Sequence, residues 1–564
     1  MIQCPNCGGA LKFDITAQQM KCESCSSLFK PYDFEYGNSA EEETEYDVTI
    51  YKCPNCGGEI TSTDETAAGF CSYCGSSTVL QGRLSREKRP ELIIPFKKTK
   101  KECESAFERF VKKAIFAPKS FRQAGRSEAF RGIYMPYWLY DMSQRGPISI
   151  PTSTSHRSGD YIITDHYRCT GNLDNYYNGV SYDASSSFAD DISSEIAPFN
   201  VKDITKFSPS FLAGYYADIA DVDSTTYNEA AIELAKECTY NYLNKKSPMS
   251  GNSFDEPKET IKKKIGTNIN VTRSAMFPVW FMAYRNKDRI AYATVNGQTG
   301  KVSADIPMSV PKFFVCALGI AAIVFCLLQM FFTAIPATLA VIVSILGLIS
   351  VIIYNSQIKK IVAKENYDDD LGMIDVMQKK KQSRLQAQKG ATLDGEAGAY
   401  VLTENDIKRS KREYAKRKKS QKKATGLGTA LIVGVVLAFI FGPMVLGMAT
   451  SIMEAIGLNG FGGVINLVIA IIALIITINT NKHVKEMVTK KAFAASIFTT
   501  ISLFLITIIS FIDPHSDIIY YAVVLAAMVG VIINLLDLIK CFNLIAMRPL
   551  PQFERYKGGD DRRA

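Results

Sequence analysis

The chain has few of the residues and motifs that enzymes use for catalysis. Its 564 residues include only four His and two Trp. The sequence contains no HExxH, no GxSxG and no GxxxxGK[ST] pattern. The segment GQTGK at 297–301 lacks the spacing of a phosphate-binding loop. These absences exclude the common hydrolase and nucleotide-binding signatures. We therefore expect a protein that is not an enzyme, with His156 and His166 as weak catalytic candidates.

The N-terminal sequence MIQCPNCGG also lacks the features of a secretory signal. It has neither a basic first region nor a following apolar stretch. We therefore expect the start of the chain to stay in the cytoplasm, where thiols remain reduced and available to metals.

Cysteine is concentrated at the N-terminus, where eight of 14 residues lie in two copies of the pattern C-x2-C-x14-C-x2-C. Each copy begins with CPNCGG. Two facing CxxC turns supply the four thiolates that Zn²⁺ prefers, and a redox dithiol is the alternative. The sequence predicts two Zn²⁺ ions, each held by one copy because a short loop closes more readily than a cross-braced pair. The predicted ligands are Cys4, Cys7, Cys22, Cys25, Cys53, Cys56, Cys71 and Cys74.

The charge of this region argues against nucleic acid as its partner. Residues 1–80 carry four Lys and no Arg against twelve Asp and Glu. Affinity for phosphates depends on many basic side chains. We therefore expect cytosolic protein partners. A short basic stretch follows, so a nucleic-acid-binding tether stays as an alternative; it comprises Arg83, Arg86, Lys88 and Arg89.

Residues 90–304 have the composition of a globular α+β domain. Apolar residues recur at helical spacing near residues 100–116, 227–246 and 254–266. Alternating stretches at 160–169 and 267–274 favour strands. The two tryptophans, Trp138 and Trp280, both follow a Pro-x-Trp pattern in aromatic runs. This pattern predicts aromatic core packing, through an internal duplication or two strands that pack together.

The last 250 or so residues contain six apolar runs of about 20 residues, the length of a membrane-spanning helix. They are Phe313 to Phe332, Ala337 to Tyr354, Leu427 to Met448, Phe461 to Ile478, Ala492 to Ile512, and Ile518 to Ile539. Every second connecting loop is basic, and the segment 355–424 alone has 18 Lys and Arg against 10 Asp and Glu. The positive-inside rule then predicts a multi-pass protein of the cell inner (cytoplasmic) membrane with both termini in the cytoplasm.

Few strongly polar side chains lie inside these runs. Asn466 and Asn534 are the main examples. A transporter usually has ionisable groups deep in its spans. Because these runs have few, transport is only a second alternative function. No small-molecule substrate is evident.

The sequence therefore divides into two small Cys4 zinc ribbons, an α+β domain and an all-α membrane domain of six helices. The expected ranges are ribbon 1 at 1–30, an acidic linker at 31–50, ribbon 2 at 51–80, the cytoplasmic domain at 90–304, a transmembrane hairpin at 313–354, a basic cytoplasmic loop at 355–424, four spans at 427–539 and a basic cytoplasmic tail at 540–564.

Several phrases also resemble a known family. These are the twin CPNCGG, FRGIYMPYWLYDM, FSPSFLAGYYADIADVD, and the run FPVWFMAYRNKDRIAYATVNGQTGKVSADIP. They are similar to bacterial, mostly Firmicutes, TFIIB-type or double zinc-ribbon membrane proteins, some of which carry the label of a primosomal replication helicase. The resemblance covers about residues 1–310 and implies that the same eight cysteines are metal ligands. This chain has no ATP-binding loop to match a helicase label.

Some proteins of that family look like membrane anchors for envelope-stress scaffolds of the phage-shock type. The expected function is accordingly a zinc-binding integral membrane adaptor or scaffold. It would present a cytoplasmic double zinc ribbon for protein–protein interaction, with envelope stress as the suggested setting.

Overall fold

The protein has an N-terminal cysteine cluster, a sheet-rich soluble domain and a helical C-terminal part. Its computed structural model describes residues 2–34, 45–53, 59–62, 81–119, 121, 130–245, 253–286, 289–331, 336–365, 370–376, 379, 461–485, 495–546 and 548–549. The strands are β1 Leu11–Asp14, β2 Gln19–Cys22, β3 Leu28–Phe29, β4 Glu45–Lys52, β5 Glu59–Ser62, β6 Gln81–Lys88, β7 Leu92–Ile93, β8 Phe130–Ser158, β9 Tyr161–Asp183, β10 Thr205–Lys206, β11 Tyr216–Ala217, β12 Ser253–Phe254, β13 Asn268–Asn286, β14 Arg289–Asn296, β15 Val302–Ala304 and β16 Arg548–Pro549.

The helices fall into a soluble set and an apolar set. They are α1 Lys100–Lys113, α2 Asp190–Ile196, α3 Asn228–Lys245, α4 Lys258–Lys264, α5 Val310–Phe331, α6 Pro336–Glu365, α7 Phe461–Lys485, α8 Ser496–Ile512 and α9 Asp517–Ala546. Helix α1 begins with a capping box, in which the Thr99 hydroxyl accepts from the Glu102 amide and the Glu102 carboxylate accepts from the Thr99 amide. The helices predicted near residues 100–116, 227–246 and 254–266 are confirmed by α1, α3 and α4.

In the described part of the chain a 13-stranded sheet forms the centre of the soluble domain, and β8 and β13 are long neighbouring strands within it. They run antiparallel, with Trp138 opposite Ser274 and Trp280 opposite Gly132. The two Pro-x-Trp motifs therefore lie on adjacent strands, which confirms the interpretation that two such strands pack together. Each indole donates to a backbone carbonyl, Trp138 to Val222 at 2.9 Å and Trp280 to Lys98 at 2.8 Å.

Strands β8 and β9 form a long hairpin that extends beyond this sheet. They stay paired from Tyr137 opposite Asp183 to Ser158 opposite Tyr161. About halfway along its length the hairpin is covered by α4, where Ile148 and Ile150 pack with Ile261 and Ile265. Its tip is exposed on both faces.

Helices occupy five of the six predicted apolar runs, and the run Leu427 to Met448 lies outside the described residues. Within the described part of the chain, three helices are long and apolar enough to cross a membrane: Pro336–Lys364, Gly462–Val484 and Asp517–Ala546. Two further apolar stretches, Val310–Ile323 and Ser496–Ile512, are shorter than these three. These lengths indicate membrane association; six spans and the orientation of the termini stay predictions.

Candidate metal centre

Cys4, Cys7, Cys22 and Cys25 are brought together by a hairpin. Strands β1 and β2 pair with Leu11 opposite Cys22, which returns the chain from the first CxxC turn to the second. The four sulfurs all lie within 4.8 Å of one another. The Sγ atoms of Cys4 and Cys25 are 3.6 Å apart, and those of Cys7 and Cys22 are 3.4 Å apart. A tetrahedral Zn²⁺ with 2.3 Å bonds needs sulfurs about 3.8 Å apart, so this set fits one metal ion.

The two CxxC turns have nearly the same backbone geometry. In the first, the amide of Gly8 donates to the carbonyl of Cys4 at 2.8 Å, and the amide of Cys4 donates to the carbonyl of Gly9 at 2.8 Å. In the second, the amide of Ser26 donates to the carbonyl of Cys22 and the amide of Cys22 donates to the carbonyl of Ser27, at 3.0 Å each. Each turn places one residue in the left-handed region, Gly8 at φ +72° and Ser26 at φ +59°.

The second glycine of CPNCGG is required for a different reason. A Cβ on Gly9 would lie 2.6 Å from Ser24 Oγ and 3.3 Å from Cys22 Sγ. The backbone of the first turn thus approaches the second turn so closely that any side chain at position 9 would displace Ser24. The glycine pair therefore shapes both the bend of the turn and the spacing of the two turns.

The metal site has a buried side and an exposed side. Cys4 and Cys22 are buried against β1 and β2, whereas Cys7 and Cys25 face solvent. On the exposed side, Asn6 links the two turns by donating to Ser27 Oγ at 3.1 Å. One pair of ligands is thus fixed by the core, and the other pair is close to any partner that binds this surface.

Close packing of the sulfurs disfavours four negative charges without a cation. Hydrogen bonds with Ser27 lower the pKa of Cys25 to about 6, with the neighbouring thiols contributing. The pKa of Cys7 moves the other way, to about 12: the backbone N–H of Gly9 lowers it, but the sulfurs of Cys22 and Cys25 outweigh this. A bound metal ion removes this repulsion, because coordination keeps the ligands deprotonated.

The segment that carries the four cysteines, residues 2–34, is packed onto the soluble domain through residues 205–217; we call the first segment the ribbon and the second the docking segment. The ring of Phe211 lies 5.2 Å from that of Phe13 and 5.7 Å from that of Tyr32. The amide of Phe13 donates to the carbonyl of Ala213 at 3.1 Å, and Tyr32 Oη donates to the carbonyl of Lys206 at 2.9 Å. The ribbon is therefore part of the domain's hydrophobic core.

The docking segment also joins the region of the second cysteine set. Strand β11 pairs antiparallel with β5, with Ala217 opposite Thr61, and parallel with β8. Thr61 Oγ1 donates to the carbonyl of Ala217 at 2.9 Å. Cys53 is buried beside Ile60 and Ile133. Cys56, Cys71 and Cys74 lie outside the described residues, so the second metal site stays a prediction.

Sequence reasoning did not assign a role to the docking segment. It contacts residues about 200 positions away, which no local periodicity reports. The sequence features that could have identified it are the aromatic density of FSPSFLAGYYA and the glycine within this stretch. Gly214 has φ +89° and faces Lys12, where a Cβ would lie 3.3 Å from the lysine Cγ.

The weak catalytic candidates do not form a relay. His166 Nδ1 lies 3.1 Å from one oxygen of Asp255, and Ser153 Oγ donates to the other oxygen at 2.5 Å. Both side chains therefore bind the same carboxylate, whereas nucleophilic catalysis needs the histidine between serine and acid. His156 lies 3.8 Å from Asp165 on the exposed hairpin tip.

The chain has a distant relative among known proteins. The chain is 29% identical over 335 residues to YdjG of Bacillus subtilis, an uncharacterized protein; the match covers 58% of this chain and 96% of the relative. No family model matches the chain, and no solved structure matches it significantly. Similarity therefore relates the protein to another of unassigned role, and the argument for function rests on the site itself.

Proposed function

We propose that the protein is a zinc-binding integral membrane adaptor that presents a cytoplasmic double zinc ribbon to protein partners. The carrying observation is the four-cysteine centre, whose shape fits one Zn²⁺ and whose ribbon is packed into the soluble domain. A ribbon fixed in this way presents its two exposed ligands, Cys7 and Cys25, in a constant orientation. We further propose that the second cysteine set binds a second Zn²⁺ and that the adaptor acts in envelope stress.

Contacts between the soluble domain and the apolar helices support presentation at the membrane surface. The side chain of Asn543, near the end of α9, bonds both backbone groups of Met308 at 2.7 and 2.8 Å. Lys312, at the start of α5, donates to the carbonyl of Ala117 at 2.6 Å. The domain is thus held at two helix ends, so movement of the helices would be transmitted to it.

The metal part of the proposal is tested by counting zinc in the full chain purified in detergent. We expect two Zn²⁺ per chain in the wild type. We expect one in a Cys22→Ser/Cys25→Ser variant and two in a Cys238→Ser control, which removes an exposed cysteine outside both sets. One zinc in the wild type would contradict the double ribbon, and none would contradict the proposal as a whole.

The adaptor part is tested by affinity capture from detergent-solubilised membranes of the native host. We expect protein partners that are retained by the wild type and the Cys238→Ser control but lost with Cys22→Ser/Cys25→Ser. Partners that are retained equally by all three chains would refute a role for the ribbon in recruitment. Salt-dependent DNA binding by the full chain would favour the nucleic-acid tether instead, and solute movement in liposomes would favour a transporter.

A further inference from the structure

The segment that follows α6 returns to the soluble domain and packs into it. Residues 370–376, which we name the latch, begin five residues after the end of α6, and 371–376 are helical. Leu371 and Val376 are buried in a cluster with Val222 and Tyr227. The latch therefore places a segment that closely follows an apolar helix in the chain within the domain core.

The fit of the latch is close. A Cβ on Gly372 would lie 2.7 Å from Tyr227 Oη and 3.1 Å from Val222 Cγ2. The amide of Leu371 donates to Asp190 Oδ2 at 2.7 Å. The first turn of the latch is capped by Asp370, whose Oδ1 accepts from the Met373 amide at 2.7 Å. Docking thus requires the latch backbone to approach Tyr227 and Asp190 directly.

Three carboxyl groups meet where the latch docks: Asp183 at the end of β9, Asp190 at the start of α2, and Asp370. Asp183 is 2% exposed and Asp370 is 6% exposed. Among the described residues, neither Asp183 Oδ2 nor Asp370 Oδ2 has a hydrogen-bond partner, although both atoms are buried. Burying such an oxygen as a charged, unpaired atom is strongly unfavourable.

Other charged and titratable groups surround these acids, but they do not fully neutralise the negative charge that the three carboxyl groups would carry. Tyr227 Oη donates to Asp190 Oδ1 at 2.7 Å. Lys364, at the end of α6, contacts Asp191 at 3.1 Å and Asp305 at 2.9 Å. The groups that interact with the acids or lie beside them are Tyr137, Tyr182, Ser193, Asp191, Tyr227 and Lys364.

Burial raises the pKa of Asp183 and of Asp370 well above the usual range, and the charge of Asp190 raises both further. A metal ion is a less suitable counter-charge than a proton. Within the described part of the chain, the ribbon cysteines are the only His, Cys, Asp or Glu group whose ligand atoms all lie within 4.8 Å. The three carboxyls are therefore spaced too widely to share one ion in this arrangement.

We propose that the latch is a proton-dependent connection between α6 and the soluble domain, docked when Asp183 and Asp370 are protonated and released when they ionise. The unpartnered buried oxygens and the close fit at Gly372 carry this inference. In the released state α6 loses the latch contacts with the domain. The pH around the soluble domain thereby controls how tightly the helices and the domain are coupled.

The direction of the pH dependence follows from linkage. Asp183 and Asp370 bind protons more tightly when the latch is docked than when it is free. Docking is therefore fully favourable below the ordinary pKa of aspartate, about 4, and weakens as pH rises toward the raised values. In that interval the docking equilibrium falls about tenfold per pH unit for each proton taken up.

Hydrogen exchange of residues 371–376, measured by mass spectrometry on the full chain in detergent, tests this proposal. Protection factors are corrected for the intrinsic pH dependence of exchange. In the wild type we expect protection to fall as pH rises from 5 to 9. In an Asp183→Asn/Asp370→Asn variant we expect protection to persist across that range, because asparagine keeps the shape, caps helices well and cannot ionise.

Two further variants separate release from misfolding. Gly372→Ala should lose latch protection at every pH, because its methyl group clashes with Tyr227. Asp174→Asn removes an exposed carboxylate on β9 and should behave as the wild type. In each variant, protection of α1 reports whether the domain is folded.

The proposal is overturned if wild-type protection does not change with pH, or if the double Asn variant keeps the wild-type pH dependence while α1 stays protected. It is also overturned if chelator abolishes protection at constant pH and Ca²⁺ or Mg²⁺ restores it, since the counter-charge would then be a metal ion. If the double variant does not fold, the single variants Asp183→Asn and Asp370→Asn are measured instead. A single variant that keeps the full wild-type pH dependence refutes the role of the aspartate it replaces.

Discussion

Replacing Phe211 with alanine should detach the first ribbon from the domain without removing its metal ligands. The Phe211 side chain is 4% exposed and lies between the rings of Phe13 and Tyr32. Truncating a buried phenylalanine to alanine destabilises a protein by about 3–5 kcal/mol. The two aromatic contacts place this site toward the upper end of that range.

The effect is measured on the full chain in detergent by two readouts. Hydrogen exchange at Phe13 should accelerate strongly, because its amide donates to Ala213 across the docking contact. Zinc content should stay at the wild-type value, because the four cysteines and the β1–β2 hairpin are untouched. The two readouts together distinguish undocking of a folded ribbon from loss of the ribbon.

The matched control is Tyr161→Ala, which removes another large aromatic side chain from a position that is 77% exposed at the hairpin tip. We expect this control to change stability by less than about 0.5 kcal/mol. If Phe211→Ala keeps wild-type exchange at Phe13, or if it loses zinc as readily as a ligand mutant, the docking argument is wrong.

Three other predictions concern the metal centre and the core. Gly9→Ala should weaken zinc retention against a colorimetric chelator, because its Cβ would lie 2.6 Å from Ser24 Oγ; Gly171→Ala, with open space around it, should not. In chelator-treated protein, alkylation of Cys25 by iodoacetamide should be near its maximum at pH 7 and fall as pH drops through about 6, because only the thiolate reacts; a midpoint near the ordinary thiol value would contradict this. Asn296→Ala should lower the free energy of unfolding by about 1–3 kcal/mol. The Asn296 side chain accepts from the amides of Gln298 and Thr299 at 2.9 Å each and donates to the carbonyl of Ile196 at 3.0 Å. An unchanged melting temperature would refute this prediction.

Local patterns predicted those parts of the protein whose contacts are close in sequence. The spacing of Cys4, Cys7, Cys22 and Cys25 predicted four sulfurs around one point, and a short hairpin brings them there. Helix periodicity placed α1, α3 and α4. The Pro-x-Trp repeat suggested an internal duplication or two packed strands, and the structure places its two copies on adjacent strands.

Contacts between distant residues could not be predicted in the same way. Asp370 lies in a segment whose charge is typical of a basic cytoplasmic loop, and only the folded chain places it beside Asp183 and Asp190. Phe211 likewise has no local partner that would reveal its contact with the ribbon. Burial and unpaired atoms are properties of the assembled core, so a count of charges along the chain does not report them.

The order of the docking segment in the chain has a consequence for synthesis. The four ligands of the first site are complete at Cys25, whereas the surface that receives the ribbon begins near Thr205. At a translation rate of roughly 5–20 residues per second, the ribbon exists for roughly 10 to 40 seconds before its docking site emerges. This interval is long enough for a metal ion to bind the four cysteines on the nascent chain, before the domain that receives the ribbon is complete.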